Sequence, residues 1–269
     1  MDIDLVQLDK DHPGFRDGAY RRRRNDIARI ALAHRLGASP PSIVYTPEEH
    51  EVWRIALEKL APLHARYACE AFTSFWPKLG FSPERVPQFA QVNASLASLS
   101  GFRLSPVAGL VTPSAFMSHL AQDTFLATQY MRHHSAPLYT PEPDVIHELV
   151  GHAALLAHPA FAATNRRFGL ATLAANEATV EALIRVYWYA LEFGVVKGRR
   201  GLEVVGAGLL SSFGELGRFE KEAELRPFDL TEVARTPFDP TDYQRVLFVA
   251  EGAEALLSTL DAWLEEIAR

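Results

Sequence analysis

Residues 140–152 read TPEPDVIHELVGH, and the two histidines in this stretch, His147 and His152, stand five positions apart. On an ideal α-helix, positions four apart lie about 40° apart around the axis and positions five apart about 140°. The pair can therefore face a single metal ion only if the helix absorbs one residue in a π-type turn, where i and i+5 stack. Gly151, just before His152, suits such an irregularity. The alternative is two unrelated histidines, one partly buried and one facing solvent.

A metal site needs a third ligand, and the segment YWYALEFG at 187–194 offers one. From Val180 the apolar residues Leu183, Ile184, Tyr187, Trp188 and Leu191 follow helical spacing. Glu192 lies at the edge of this stripe. A carboxylate there costs desolvation unless it is paired or metal-bound; otherwise it is a rim glutamate that reaches water. Two imidazoles and one carboxylate form the facial triad of non-haem Fe(II) oxygenases. With zinc, the same ligands would make a hydrolytic site. The ligand set alone is compatible with either metal.

Outward from these segments the chain reads as mainly α, in one domain over residues 1–269, with an irregular front and a few short strands. TPEE at 46–49 is a capping box with proline at the first helical position. Ser82-Pro83, Thr112-Pro113 and Thr140-Pro141 repeat the cap-then-proline pattern. After Thr112, the apolar residues Phe116, Leu120, Phe125 and Met131 predict one amphipathic segment running toward Arg132. Gly198 and Gly201 predict a turn, followed by a short strand at 202–205. An amphipathic helix spans about 252–268 through Leu256, Leu257, Leu260 and Leu264; it can pack on the core or pair with another chain. Arg21 to Arg24 reads as a solvated face at a helix start.

The composition fits this reading. The chain has 269 residues, of which 48% are hydrophobic and 22% charged, so it can bury a sizeable core. A net charge of −6 offers no basic field for nucleic acid or an anionic membrane. The single cysteine, Cys69, cannot form an intrachain disulfide, which fits a reducing, cytoplasmic setting. The polar start predicts no signal peptide, and no apolar run is long enough for a membrane span.

Further strings, in a fixed order, carry a resemblance: DHPGF at 11–15, GFRL at 101–104 with PVAGL at 106–110, TQY at 128–130 with Arg132-His133, YTPEPD at 139–144, HEL at 147–149 with Gly151-His152, EFG at 192–194, GAGLLSSFGEL at 206–216 and FVAE at 248–251. Over roughly residues 6–260 the chain resembles the catalytic domain of the pterin-dependent aromatic amino acid hydroxylases, nearest in motif to the phenylalanine 4-hydroxylase branch. The expectation is a single catalytic domain, without the N-terminal regulatory domain and the C-terminal tetramerisation helix of the animal enzymes, and a monomer. It implies His147, His152 and Glu192 as Fe(II) ligands. Arg132 would bind the substrate carboxylate with Asp144 holding it, and Thr140, Trp188, Phe193 and Ser211 would line the substrate side. Gly109, Leu110, Phe116, Glu148 and Tyr187 would surround a tetrahydropterin, with Phe116 stacking on its ring. The implied reaction uses dioxygen and a tetrahydropterin to hydroxylate the ring of an aromatic L-amino acid, phenylalanine to tyrosine first. The runners-up are tyrosine or tryptophan as substrate, or a non-para position on phenylalanine. A zinc hydrolase or an inactive ligand-binding homologue stands further off.

Four positions depart from the family pattern. Leu126 stands where animal members carry a histidine, and Ala153 and Arg245 each replace a proline. Pro240 occupies a loop position linked in the family to the choice of amino acid. None of these is a predicted metal ligand.

Overall fold

Helices begin where the sequence supplies caps. In the computed structural model, which describes residues 5–269, the Thr46 hydroxyl accepts from the Glu49 amide and the Glu49 carboxylate accepts from the Thr46 amide, opening α2 (Pro47–Tyr67). The first four residues of the polar start, which runs over 1–15, lie outside the described residues. Asp17 caps α1 (Gly18–Leu32) through the Ala19 and Tyr20 amides. The chain continues through α3 (Glu70–Phe75), α4 (Phe89–Leu99), α5 (Pro113–Leu120), α6 (Pro159–Ala174), α7 (Glu177–Tyr187), α8 (Ala207–Ser211) and α9 (Ala253–Ile267), with single-turn helices between some of them. Two π-helices, His147–Ala153 and Trp188–Glu192, interrupt this series.

The strands are few and short, as expected for a mainly α chain. β1 (Arg103–Val107) runs parallel to β2 (Thr124–Thr128), with Arg103 opposite Thr124 and Val107 opposite Thr128. A four-stranded sheet has the order β4-β3-β6-β5, from β3 (Val195–Gly198), β4 (Gly201–Val204), β5 (Glu224–Pro227) and β6 (Val246–Ala250). β3 and β4 form a hairpin at the turn predicted around Gly198 and Gly201, where Gly201 has φ 110°; the second strand runs from Gly201 to Val204, one residue earlier than the reading.

Several readings are corrected. The segment after Thr112 is not one helix. α5 stops at Leu120, Asp123 turns the chain at φ 52°, and Phe125 lies on strand β2. Ser82-Pro83 opens a turn rather than a helix. Thr140 caps no helix either: its hydroxyl donates to the Glu142 carbonyl, and the capping role falls to Asp144, whose Oδ1 accepts from the His147 amide at 3.2 Å. Nor is the arginine run wholly solvated. Arg24 is buried, lies 3.3 Å over the Tyr130 ring and pairs with Glu142 at 2.8 Å, tying α1 to the turn that precedes the histidine helix. α9 packs on the core, with Leu260 and Leu264 fully buried and Asp261 accepting from Thr164 of α6 at 2.7 Å.

The histidine π-helix is clamped between β2 and α8. The Val145 amide donates to the Tyr130 carbonyl just past β2. On the other side α8 approaches so closely that a Cβ on Gly151 would lie 2.6 Å from the Ala207 carbonyl oxygen, and one on Gly206 would lie 2.4 Å from that of Glu192. Gly151 is thus needed for close approach, not for an unusual backbone angle. Gly151→Ala is expected to destabilise the fold by about 1–3 kcal/mol, read as a lower urea midpoint. An unchanged midpoint would mean that α8 withdraws freely.

Candidate active site

The two π-helices aim three side chains at one point. In the first, the wider turn brings His147 and His152 together, the arrangement their spacing allows only with a π-type turn: their Nε2 atoms are 2.9 Å apart. In the second, the Phe193 amide donates to the Trp188 carbonyl, a five-residue step. That turn moves Glu192 from the edge of the apolar stripe to face the histidines. Glu192 Oε1 is 3.1 Å from His152 Nε2, and its Oε2 is 3.7 Å from His147 Nε2.

The surrounding bonds prepare these donors. The Ser211 hydroxyl donates to the Ala207 carbonyl at 2.8 Å, so it accepts from Nδ1 of His147 at 2.9 Å. This fixes the tautomer with a lone pair on Nε2, toward the other two side chains. Burial, reinforced by His152, lowers the His147 pKa to about 4, keeping the ring neutral. Burial also opposes charge on His152 and on Glu192. Their mutual attraction outweighs it, raising the first pKa and lowering the second.

Glu148 is a second carboxylate within reach of both ring nitrogens. Its Oε1 accepts from both the amide and the hydroxyl of Thr128, at 3.0 Å each, and burial raises its pKa to about 7. Glu192 is the better third donor, because its oxygens stand nearer the ring nitrogens and Glu148 is already engaged. Cis donors on one octahedral first-row metal ion stand about 3 Å apart. The separations of His152 Nε2 from His147 and Glu192 meet that spacing, so these residues fit a ferrous ion.

Beside the three donors opens a cavity of about 360 Å³. Arg132, Thr140, Trp188, Phe193 and Ser211 all line it, with His147 and Glu192 at its inner end. Asp144 lies behind Arg132, fully buried, and accepts from Arg132 Nε at 2.8 Å and Nη2 at 2.7 Å. Burial opposes the Asp144 charge, but Arg132 overrides it and holds the carboxyl below its ordinary pKa. The Trp188 ring stacks on Phe238 at 4.2 Å and lies 4.7 Å from Phe193. A larger open cleft of about 530 Å³ around His64 and Trp76 contains none of these groups.

The sequence reading missed Phe238, Glu215 and Gln244. Glu215 belongs to the string at 206–216, but no periodicity shows that it reaches the cavity. Burial raises its pKa to about 7.

The five residues assigned to a pterin lie outside that cavity. Phe116 is half-buried, edge-on to Phe125 at 5.0 Å and to Tyr187 at 5.7 Å. Phe125 in turn lies 4.3 Å from the His152 ring, so this aromatic group backs onto the histidines from the far side. Tyr187 is buried and donates to Asn165 Oδ1 at 3.0 Å. Gly109 and the exposed Leu110 lie in the turn between β1 and α5.

Comparison with known proteins agrees with this geometry. The family model described as biopterin-dependent aromatic amino acid hydroxylase matches residues 4–269. The phenylalanine-4-hydroxylase of Caenorhabditis elegans is 41% identical over 98% of this chain, and the tyrosine 3-monooxygenase of Schistosoma mansoni 39% identical over 93%. The chain spans only 59% and 55% of their lengths. Among solved structures, Chromobacterium violaceum phenylalanine hydroxylase with bound oxidised Fe(III) superposes with a TM-score of 0.78 at 29% identity, covering 88% of this chain and 90% of that one. The ligand spacing, the two π-helices and a match along nearly the whole chain lead to one conclusion: the chain belongs to the biopterin-dependent aromatic amino acid hydroxylases.

Proposed function

We propose that the protein hydroxylates the ring of an aromatic L-amino acid, phenylalanine first, with Fe(II), a tetrahydropterin and dioxygen. The observation that carries this reading is the convergence of His147, His152 and Glu192 at the inner end of a cavity with aromatic walls and a buried arginine. The iron-bound structure of the Chromobacterium phenylalanine hydroxylase supports the choice of metal.

In this reading His147, His152 and Glu192 hold the iron. When bound, the metal and the tetrahydropterin would supply the electrons that activate dioxygen for ring hydroxylation. The chain does the positioning. Asp144 holds Arg132 by Nε and Nη2, which leaves Nη1 to meet the substrate carboxylate. Trp188 and Phe193 wall the ring, and Thr140 borders the substrate backbone. Ser211 acts through His147 rather than on the substrate. Phe116, with Gly109, Leu110, Glu148 and Tyr187 around it, takes the pterin on the His152 side.

The test is anaerobic Fe(II) loading, then air and a tetrahydropterin with phenylalanine, tyrosine or tryptophan in parallel. Tyrosine formed from phenylalanine is the expected product, and failure with all three rejects the reading. Tyrosine is the second candidate substrate, because a tyrosine 3-monooxygenase matches nearly as well as the phenylalanine hydroxylases do. Ser211→Ala should weaken iron binding about 10–100-fold while the fold persists, since outer partners of ligating histidines carry effects of that size. Wild-type iron affinity in that variant would remove Ser211 from this role.

A further inference from the structure

The outer wall of the cavity is Pro240 to Tyr243, in an exposed loop that starts at Asp239, and Gln244 is the half-buried residue that ends the loop. Gln244 Nε2 donates to the Asp239 carbonyl at 2.8 Å and to the Asp242 carbonyl at 3.0 Å. Its Oε1 accepts from the indole N–H of Trp188 at 2.9 Å. The orientation of this amide is unambiguous, because carbonyls can only accept and an indole can only donate. The backbone amide of Gln244 donates to Glu215 Oε1 at 2.9 Å, which seats the end of the loop on the segment after Ser211. Phe238, at the loop's start, stacks on Trp188, and the Tyr189 hydroxyl donates to the neighbouring Pro237 carbonyl. The remaining hydrogen bonds of Thr241 and Tyr243 stay within the loop.

We infer that Gln244 is the positioning residue that locks this loop and Trp188 into one cavity shape, and so sets which aromatic side chain the cavity accepts. The inference rests on the proposed function for its substrate class. A leucine at 244 leaves the Trp188 N–H and both loop carbonyls without partners. Water can serve the exposed carbonyls, so the loop loosens while the fold remains. The metal ligands stand outside this loop, with Glu192 at the far end of the π-helix that Trp188 begins, and the pterin side lies beyond His152, so the effect falls on amino acid recognition, not on pterin binding.

Gln244→Leu and Gln244→Glu decide the matter when compared with the wild-type holoenzyme. In Gln244→Leu, hydrogen exchange of the 239–244 amides should speed up, and the preference in kcat/KM for phenylalanine over tryptophan should fall about tenfold, within the range a pocket contact can supply. The KM for the amino acid should rise while that for the tetrahydropterin stays put. Gln244→Glu keeps the acceptor for Trp188 but faces the two carbonyls with an anion. It should loosen the loop while retaining more of the selectivity than Gln244→Leu. Unchanged exchange in both variants, or an unchanged substrate preference in Gln244→Leu, overturns the inference. If the wild type turns over no aromatic amino acid, the functional reading fails, while the exchange comparison still decides whether Gln244 fixes the loop.

Discussion

Alanine at His147, His152 or Glu192 is expected to lower turnover by at least about a thousandfold, equivalent to ~4 kcal/mol of barrier, with thermal stability little changed at His147 and Glu192. Each variant removes one of three donors that stand 2.9 to 3.7 Å apart, so the remaining pair no longer forms a facial set. His147 and Glu192 border the cavity instead of filling the core, so their loss opens no closed void, whereas the His152 ring is buried against Phe125 and its removal also lowers stability. Glu192→Gln is the sharper variant. It keeps the shape but removes the anion that raises the pKa of His152, and leaves a weak amide donor in place of a charged ligand. Iron content and product formation, measured on the same preparations, check the expectation. Wild-type activity in any one variant would remove that residue from the metal site.

The second large effect is expected at Arg132 and Asp144. Asp144→Ala strands a buried guanidinium and removes the acceptor for the His147 amide, so it should destabilise the fold by about 3–5 kcal/mol. Arg132→Lys keeps the charge but not the planar fork. It should raise the KM for the amino acid by about tenfold or more while changing kcat less. Equilibrium denaturation and steady-state kinetics separate the two. The pair also has a pH signature. Because the folded pKa of Asp144 is depressed, the unfolded chain binds the proton more tightly. The pair's stabilisation is therefore present above about pH 4, the ordinary aspartate range, and is lost as pH falls through the lower folded value. Asp144→Asn should flatten that acid limb; an unaltered limb would show that the pair contributes nothing to acid stability.

Much of this site is legible in the sequence, for physical reasons. A five-residue histidine spacing either fails to make a site or requires a π-turn, and the structure contains the π-turn. Glu192 stands out because a carboxylate beside an apolar stripe needs a partner. Its inward aim is not legible, since the second π-helix depends on packing against α8 and leaves no mark on helical periodicity. The strand at Phe125 was hidden because irregularly spaced apolar residues imitate a helix until Asp123 turns the chain. Arg24 was hidden for a different reason: a run of four arginines says nothing about which one meets the face of Tyr130. The Gln244 staple depends on where an exposed loop folds back, which local sequence does not encode.

The most direct test of the account is X-ray absorption on protein loaded anaerobically with one equivalent of Fe(II), for the wild type and for His147→Ala. One tightly bound iron per chain with two imidazole ligands is expected in the wild type, and weakened binding with one imidazole fewer in the variant. An iron without imidazole neighbours, or the same spectrum from both proteins, would contradict it.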